Sequence, residues 1–404
     1  MNHAQPTQAG THVKDRGPDI ADIFRRFGEK AKKVFRFTVA QLFVLSNIIK
    51  CRTAALGGHN DACDNCGLVR PSYNSCRDRH CPKCQAPRQA QWIAVRQERL
   101  LPAPHYHIVF TVPGTLRPIA KADRRAFFDI LFRAASKTLL RFGQDPKWIG
   151  GQIGITAVLH TWTRELKFHP HIHAIVTAGA FCPKTETWLK PKGGKNFIFP
   201  CRALASVFRR KVIEALVKRD IELRIANGQP PDPRFTNLMH RLRGIRWVIH
   251  TKQPFQELQH IVQYLGRYTH RVGISNQRII AIDDDGITFR TRGNDTTRIS
   301  PVQFIGRFLE HVLPEGFAKI RHYGLYSPGN VNKRLAKARE LLPAPTRTQP
   351  PGPPTVNYDD NGQLKAVDVR SLLKALTGID PCMCPICHIG TMRPLEIIPA
   401  TGPP

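Results

Sequence analysis

The sequence predicts an α+β chain in which antiparallel strands and amphipathic helices follow a small cysteine-rich module. Segments where apolar and polar residues alternate indicate strands, and segments with apolar residues three and four positions apart indicate helices. Cysteine and histidine residues crowd between residues 51 and 84. With 404 residues, the chain has room for two or three domains.

The charge balance predicts a polyanionic partner. The chain has 61 Lys and Arg against 30 Asp and Glu, a formal net charge of +31. Such an excess in a globular chain favours nucleic acid as the partner. No long apolar run indicates a membrane span, and the polar N-terminus has no signal-peptide core, so we expect a cytoplasmic protein. In that compartment, 11 closely spaced cysteines predict metal binding rather than disulfides.

The pattern divides the chain into segments. We expect residues 1–18 to be disordered and residues 19–50 to form a helical lead-in. A cysteine-rich module follows over residues 51–90, and the main α+β domain over residues 91–342. Residues 343–380 contain many prolines, which predicts a linker, and residues 381–404 carry a second group of cysteines.

The cysteine-rich module predicts a structural zinc site of the zinc-ribbon kind. Two CxxC pairs, each able to place two thiolates on one tight turn, would complete a closed tetrahedral site: Cys63, Cys66, Cys81 and Cys84. The remaining potential ligands could form a second zinc site: Cys51, His59, Cys76 and His80. Basic residues around these ligands predict a surface that faces DNA: Arg77, Arg79 and Lys83.

The main domain begins with strands that carry histidines. Residues 105–112 alternate, with Tyr106 and Ile108 on the apolar face and His107 on the other. Residues 153–160 and the strand that contains His171 and His173 could form an antiparallel hairpin.

Within that hairpin, His171 and His173 are two positions apart and point to the same side of their strand, as a divalent-metal clamp requires. His160 would lie across the ladder from them and is the favoured third ligand.

A later helix is predicted to carry a second part of the same site. Pro254 predicts a helix that starts near Phe255, and Tyr264, Tyr268 and Arg271 share one of its faces. A tyrosine hydroxyl is a poor nucleophile at its free pKa of about 10. It becomes effective when a metal polarises a phosphodiester and stabilises the charge that develops on the phosphate.

Further along, Asp285-Gly286 predicts a hairpin, and helical patterns cover residues 302–312 and 332–342. Near the C-terminus, four potential metal ligands include only one CxxC pair: Cys382, Cys384, Cys387 and His388. No GxxxxGK[ST] phosphate loop occurs, which argues against ATPase activity.

These motifs resemble the IS91-type transposases of the HUH superfamily of tyrosine single-strand nucleases. The matching stretches occur in the family's order: residues 73–84 (YNSCRDRHCPKC), 157–162 (AVLHTW), 169–173 (HPHIH), 264–271 (YLGRYTHR) and 321–325 (RHYGL). The resemblance implies a ferredoxin-like HUH nuclease core with an antiparallel sheet. It also implies a bacterial protein that associates with the nucleoid. It also implies that His171 and His173 hold Mg²⁺ or Mn²⁺, with His260 and Gln263 as rivals to His160 for the third position.

By the same resemblance, Tyr264 and Tyr268 would form 5′-phosphotyrosine links in rolling-circle transposition. The partners would be single-stranded transposon ends, target DNA and the host replication machinery. Two-tyrosine relatives often have a lysine where this chain has Arg271, so we assign Arg271 a phosphate-clamping role, and Arg267 a DNA-binding one. The alternatives are a rolling-circle replication initiator of the same superfamily and a non-catalytic zinc-dependent DNA-binding protein.

Overall fold

The computed structural model describes residues 17–84, 99–192, 198–255, 261, 273–342, 370–371, 374, 378 and 380–401. Its helices are α1 (Ile20–Val34), α2 (Val39–Lys50), α3 (Arg117–Ala122), α4 (Arg124–Gln144), α5 (Cys201–Asn227), α6 (Pro233–Gly244), α7 (Pro301–Leu309) and α8 (Ala336–Glu340). Its first strands are β1 (Gly58–Cys63), β2 (Val69–Tyr73), β3 (His105–Thr111), β4 (Gly154–Trp162), β5 (Phe168–Thr177), β6 (Ala180–Cys182) and β7 (Thr187–Leu189). The others are β8 (Ile249–Phe255), β9 (Ile279–Ile282), β10 (Ile287–Arg290), β11 (Thr296–Ile299), β12 (Ile320–Gly324) and β13 (Met392–Ile398).

A five-stranded sheet in the order β12-β4-β5-β3-β8 forms the centre of the main domain, and every neighbouring pair is antiparallel. One face packs against α4 and α5 through side chains such as Phe110, Ile172 and Phe208. The other face carries the strand histidines together with a smaller apolar cluster that includes Val158 and Ile175. Because successive side chains of a strand alternate between faces, the same strands build the core and present the histidines.

A second core joins the N-terminal helices to a later part of the main domain. Helices α1, α2 and α7 pack against the three-stranded sheet β11-β10-β9, with Phe24 and Phe308 in edge-to-face contact at 5.3 Å between ring centroids. The start of α1 has a capping box in which Asp19 and Asp22 each accept the other's backbone N–H. Cys51, Cys81 and Cys84 belong to this core, so the cysteine-rich module is anchored on it.

A third sheet, β13-β1-β2, brings the C-terminal strand to the N-terminal module. β13 pairs antiparallel with β1, from Gly58 opposite Ile398 to Cys63 opposite Met392. The sequence had suggested a separate C-terminal cysteine cluster, whereas the structure joins it to the module at residues 51–90.

The α+β class with an antiparallel sheet and a preceding cysteine module is confirmed. The predicted helix start at Pro254 is wrong, because Pro254 and Phe255 lie in β8, which among the described residues is an edge strand beside β3. An edge strand tolerates proline because one of its sides needs no ladder hydrogen bond. Several strands were not predicted, namely β1, β2, β6, β7, β11, β12 and β13. Among the described residues, no helix is both long and apolar enough to cross a membrane.

Candidate metal centres

Three histidines meet on the face of the central sheet that lies opposite α4 and α5. β4 and β5 pair so that His160 lies opposite His171 and Val158 opposite His173. One ring nitrogen of each of the three histidines lies within 4.8 Å of those of the other two. The hairpin predicted from the sequence therefore forms, and it brings His160, His171 and His173 together.

Hydrogen bonds orient two of these rings. His171 Nδ1 lies 2.6 Å from the carbonyl oxygen of His169, to which it can only donate, so Nε2 keeps its lone pair. His173 Nδ1 lies 2.8 Å from Nε2 of His107, which projects from the neighbouring strand β3. Sequence reasoning put His107 on the correct face but missed this contact. The alternation of β3 was the available signal, because it places His107 diagonally across from His173.

The site favours neutral imidazoles. Burial lowers the pKa of His107 to about 3 and that of His171 to about 4. Burial, together with the neighbouring histidines, holds the pKa values of His160 and His173 well below their usual range. Neutral imidazole is the form that binds a metal, so the triad suits a divalent cation as a donor set.

Lys319 lies close to the triad. Its Nζ lies 4.7 Å from the ring centroid of Trp162, which in turn stacks on His160 at 4.9 Å. Burial lowers the pKa of Lys319 to about 7. No sequence pattern indicates this residue, because its side chain reaches the site only through the pairing of β12 with β4.

The functional residues predicted on the later helix lie outside the described residues. They are the tyrosine nucleophiles Tyr264 and Tyr268, the alternative metal ligands His260 and Gln263, and the arginines Arg267 and Arg271. Their arrangement relative to the triad stays a prediction from the sequence.

The first thiol cluster consists of Cys51, Cys76, Cys81 and Cys84. The Sγ–Sγ distances are 3.4 Å for Cys51–Cys84 and 3.6 Å for Cys76–Cys84. Four sulfurs about 2.3 Å from a central zinc would be about 3.8 Å apart, whereas a disulfide needs about 2.05 Å. A hydrogen bond from Cys76 lowers the pKa of Cys51 to about 2, so the cluster favours a thiolate. The residues present fit Zn²⁺.

The second thiol cluster consists of Cys63, Cys66, Cys384 and Cys387. Its Sγ–Sγ distances are 3.7 Å for both Cys63–Cys387 and Cys66–Cys384. Backbone hydrogen bonds, the largest from Gly390, lower the pKa of Cys387 to about 6.

This arrangement corrects the predicted ligand sets, which had joined Cys63 and Cys66 to Cys81 and Cys84. The structure separates the two CxxC pairs, because Cys81 and Cys84 sit in the helical core with Cys51, whereas Cys63 and Cys66 lie beside β13.

The two histidines of the predicted second zinc site lie outside both thiol clusters. His80 is buried, with Nδ1 3.0 Å from Asp78 Oδ1, and its Nε2 accepts the backbone N–H of Leu313 at 3.2 Å. Both of its ring nitrogens are therefore used in hydrogen bonds. His59 Nε2 lies 3.1 Å from Asp61 Oδ1. Only Cys51 and Cys76 of that predicted set join a cluster.

The structure also divides the basic residues of the module. Lys83 pairs with Asp19 at 2.7 Å, and Arg79 donates to the carbonyl oxygen of Phe317 at 2.8 Å. These two side chains hold the module against the rest of the chain, which disfavours the predicted contact of both with DNA. Arg77 is exposed, as a DNA contact requires.

Comparisons with known proteins agree with these features. A family model described as "Transposase zinc-binding domain" matches residues 23–112, and one described as "Putative transposase" matches residues 154–334. "Putative transposase y4qJ" of Sinorhizobium fredii (strain NBRC 101917 / NGR234) is 40% identical over 408 residues, which cover 96% of this chain and 98% of the relative. The transposase for insertion sequence element IS801 of Pseudomonas savastanoi pv. phaseolicola is 29% identical over 358 residues, 85% of this chain and 80% of the relative. No solved structure matches significantly.

The matched segments and the thiol clusters define a class, the DNA transposases with an N-terminal structural zinc-binding domain. The chain belongs to the IS91 family of transposases. DNA is therefore the partner that the net charge of +31 predicted.

Proposed function

We propose that this transposase is a metal-dependent HUH endonuclease and strand transferase that acts on single-stranded DNA in rolling-circle transposition. The observation that carries the proposal is the triad of His160, which is buried, with His171 and His173, which are half-buried, on one sheet face of a transposase. Three converging, neutral imidazoles are typical of a metal centre, and a DNA-binding protein without catalysis would not need them.

The proposed cation is Mg²⁺ or Mn²⁺. When bound, it would supply electrophilic activation of the scissile phosphodiester. Imidazole nitrogens suit Mn²⁺ better than Mg²⁺, so we expect Mn²⁺ to bind more tightly. His107 and the carbonyl oxygen of His169 would keep the rings of His173 and His171 in position while DNA enters.

The resemblance to the family assigns the nucleophiles. The hydroxyl oxygen of Tyr264 or Tyr268 would attack the phosphorus, the 3′ oxygen would leave, and a 5′-phosphotyrosine link would conserve the bond energy. Two tyrosines about one helical turn apart would allow two successive attacks. Arg271 would clamp a phosphate, because its guanidinium stays charged. The free 3′-OH would then serve host DNA synthesis.

A covalent-adduct assay tests the nucleophiles. The full-length protein is incubated with Mn²⁺ and single-stranded oligonucleotides that span the element's ends, then denatured and resolved by electrophoresis. We expect a denaturation-resistant protein–DNA adduct that Tyr264→Phe with Tyr268→Phe abolishes. Tyr73→Phe, in the zinc module, is the matched control and should keep the adduct. An adduct that survives the double substitution would contradict the mechanism.

A second comparison tests the metal. His171→Ala with His173→Ala should abolish cleavage and leave the zinc content unchanged. The control His250→Ala, on the exposed face of β8, should keep both cleavage and zinc at the wild-type level. Loss of zinc together with cleavage would show that the two kinds of metal site are not separate. Joining of the cleaved end to a target oligonucleotide would favour transposition over replication initiation.

A further inference from the structure

The second thiol cluster draws its ligands from opposite ends of the chain. Cys63 is the last residue of β1 and Cys66 follows it, whereas Cys384 and Cys387 precede β13. The family models that match this chain end at residues 112 and 334, so neither includes the C-terminal pair. The function proposed above does not use this cluster either.

The two CxxC segments have the same backbone geometry. The N–H of Gly67 donates to the carbonyl oxygen of Cys63, and that of His388 donates to Cys384, both at 3.1 Å. Gly67 and His388 both have left-handed φ angles, 69° and 54°. Each segment thus forms a tight turn that directs two sulfurs to one side, as zinc ligands of this spacing require.

Each turn is held by further hydrogen bonds. The N–H of Cys63 donates to Leu68 at 2.9 Å, and that of Cys384 donates to Gly390 at 2.8 Å. Each turn also directs one N–H at a sulfur, from Cys66 to Cys63 Sγ at 3.5 Å and from Gly390 to Cys387 Sγ at 3.3 Å. Donors aimed at sulfur favour the thiolate that a metal needs.

The two turns fit closely together. A Cβ atom on Gly390 would lie 2.4 Å from Cys63 Sγ, so only glycine leaves room there. Asp64 accepts the N–H of Thr391 at 2.7 Å and the Nε of Arg393 at 3.1 Å.

We propose that Cys63, Cys66, Cys384 and Cys387 bind a second Zn²⁺, which fastens the C-terminal segment of the chain to the N-terminal module. The Sγ–Sγ distances of 3.7 Å match the edge of a tetrahedral ZnS₄ site and exclude a disulfide. The metal is needed because β13 buries little: Leu395 and Ile397 are 64% and 85% exposed. One mostly exposed strand, paired on one side with β1, is weakly held without a further link.

Metal analysis of purified full-length protein tests the site. We expect Cys384→Ser with Cys387→Ser to remove one zinc per chain. The quadruple variant, in which Cys63→Ser and Cys66→Ser are added, should contain as much zinc as the variant with Cys63→Ser and Cys66→Ser alone. This follows because all four residues share one ion. Cys182→Ser with Cys201→Ser is the control and should keep the wild-type zinc content. Unchanged zinc after the C-terminal substitutions, or iron in place of zinc, would overturn the proposal.

A chain that a protease can cut distinguishes this shared site from a zinc site formed by the C-terminal segment alone. A protease site inserted between Pro354 and Thr355 allows the C-terminal fragment to be cut free. We expect the fragment to stay bound on gel filtration and to leave when zinc is chelated or when Cys63 and Cys66 are replaced by serine. A fragment that leaves with its zinc still bound would overturn the shared site.

Discussion

At the scale of single residues, the contact between His107 and His173 decides how the triad can bind a metal. A neutral His173 that binds through Nε2 carries its proton on Nδ1 and donates it to His107 Nε2, 2.8 Å away. Loss of such a supporting hydrogen bond typically lowers metal affinity by about 10- to 100-fold. We therefore expect His107→Phe to weaken Mn²⁺ binding by that factor, measured by electron paramagnetic resonance of free Mn²⁺.

His105 provides the matched control for this substitution. It is equally buried on the same strand, but its Nε2 lies 2.6 Å from the Tyr326 hydroxyl rather than near the triad. His105→Phe should reduce the stability of the protein and leave Mn²⁺ affinity intact. Equal Mn²⁺ affinity in wild type and His107→Phe would show that His107 does not support metal binding by the triad.

Two buried histidines outside the triad predict sensitivity to acid. Burial lowers the pKa of His105 to about 4 and that of His311 to about 3. Unfolding restores a pKa of about 6.5, so the unfolded chain binds more protons below that pH, and stability falls as the pH falls through this range.

Between about pH 7 and pH 5, each of these histidines removes about 2 kcal/mol from the free energy of unfolding. His105→Gln with His311→Gln should therefore flatten the pH dependence by about 4 kcal/mol over that interval, measured by urea denaturation. Parallel pH profiles for the variant and the wild type would refute this assignment. Any loss of zinc in acid affects both proteins and cancels in the comparison.

At the scale of elements, the end of β12 depends on one glycine. Gly324 has φ +62°, and a Cβ atom there would lie 1.9 Å from the carbonyl oxygen of Ile153. Gly324→Ala must displace the backbone that pairs β12 with β4, and we expect it to cost about 3 kcal/mol or more in unfolding free energy.

The cost at Gly324 has two contributions, the strain of a left-handed φ and the steric clash with Ile153, and Gly316 distinguishes them. It has a similar φ of +64° but nothing within 4 Å of its Cβ position. Gly316→Ala should therefore cost only the backbone strain, about 1 kcal/mol. Equal losses for the two variants in chemical denaturation would mean that the clash at Gly324 relaxes without disturbing the strands.

The elements also show what the sequence could predict. Alternation along a strand is a local property, so the faces of β3 and β5, the hairpin of β4 with β5 and the position of His160 followed from the pattern. The sorting of cysteines did not, because Cys66 and Cys384 are 318 positions apart and both CxxC pairs near the N-terminus look equivalent in sequence. Only the tertiary packing, with Cys81 and Cys84 in the helical core, distinguishes them.

At the scale of the whole molecule, the net charge of +31 acts on DNA chiefly through phosphate contacts. Neutralised phosphates release counterions, so binding weakens as salt is added, with a slope on logarithmic axes of about −0.7 per contact for single strands. We expect affinity for single-stranded DNA to fall by about a thousandfold between about 50 mM and 200 mM salt, the order expected for roughly 6–10 contacts.

Two variants test which basic residues of the zinc module take part. Arg77 is exposed, so Arg77→Ala should make the salt slope shallower by about 0.7, measured by fluorescence anisotropy with a labelled oligonucleotide. Lys83 pairs with Asp19 at 2.7 Å, and its side chain is only 11% exposed. Lys83→Ala should therefore lower stability and leave the slope unchanged. A shallower slope for Lys83→Ala would mean that this ion pair opens when DNA binds, because only a lysine released from Asp19 could contact a phosphate.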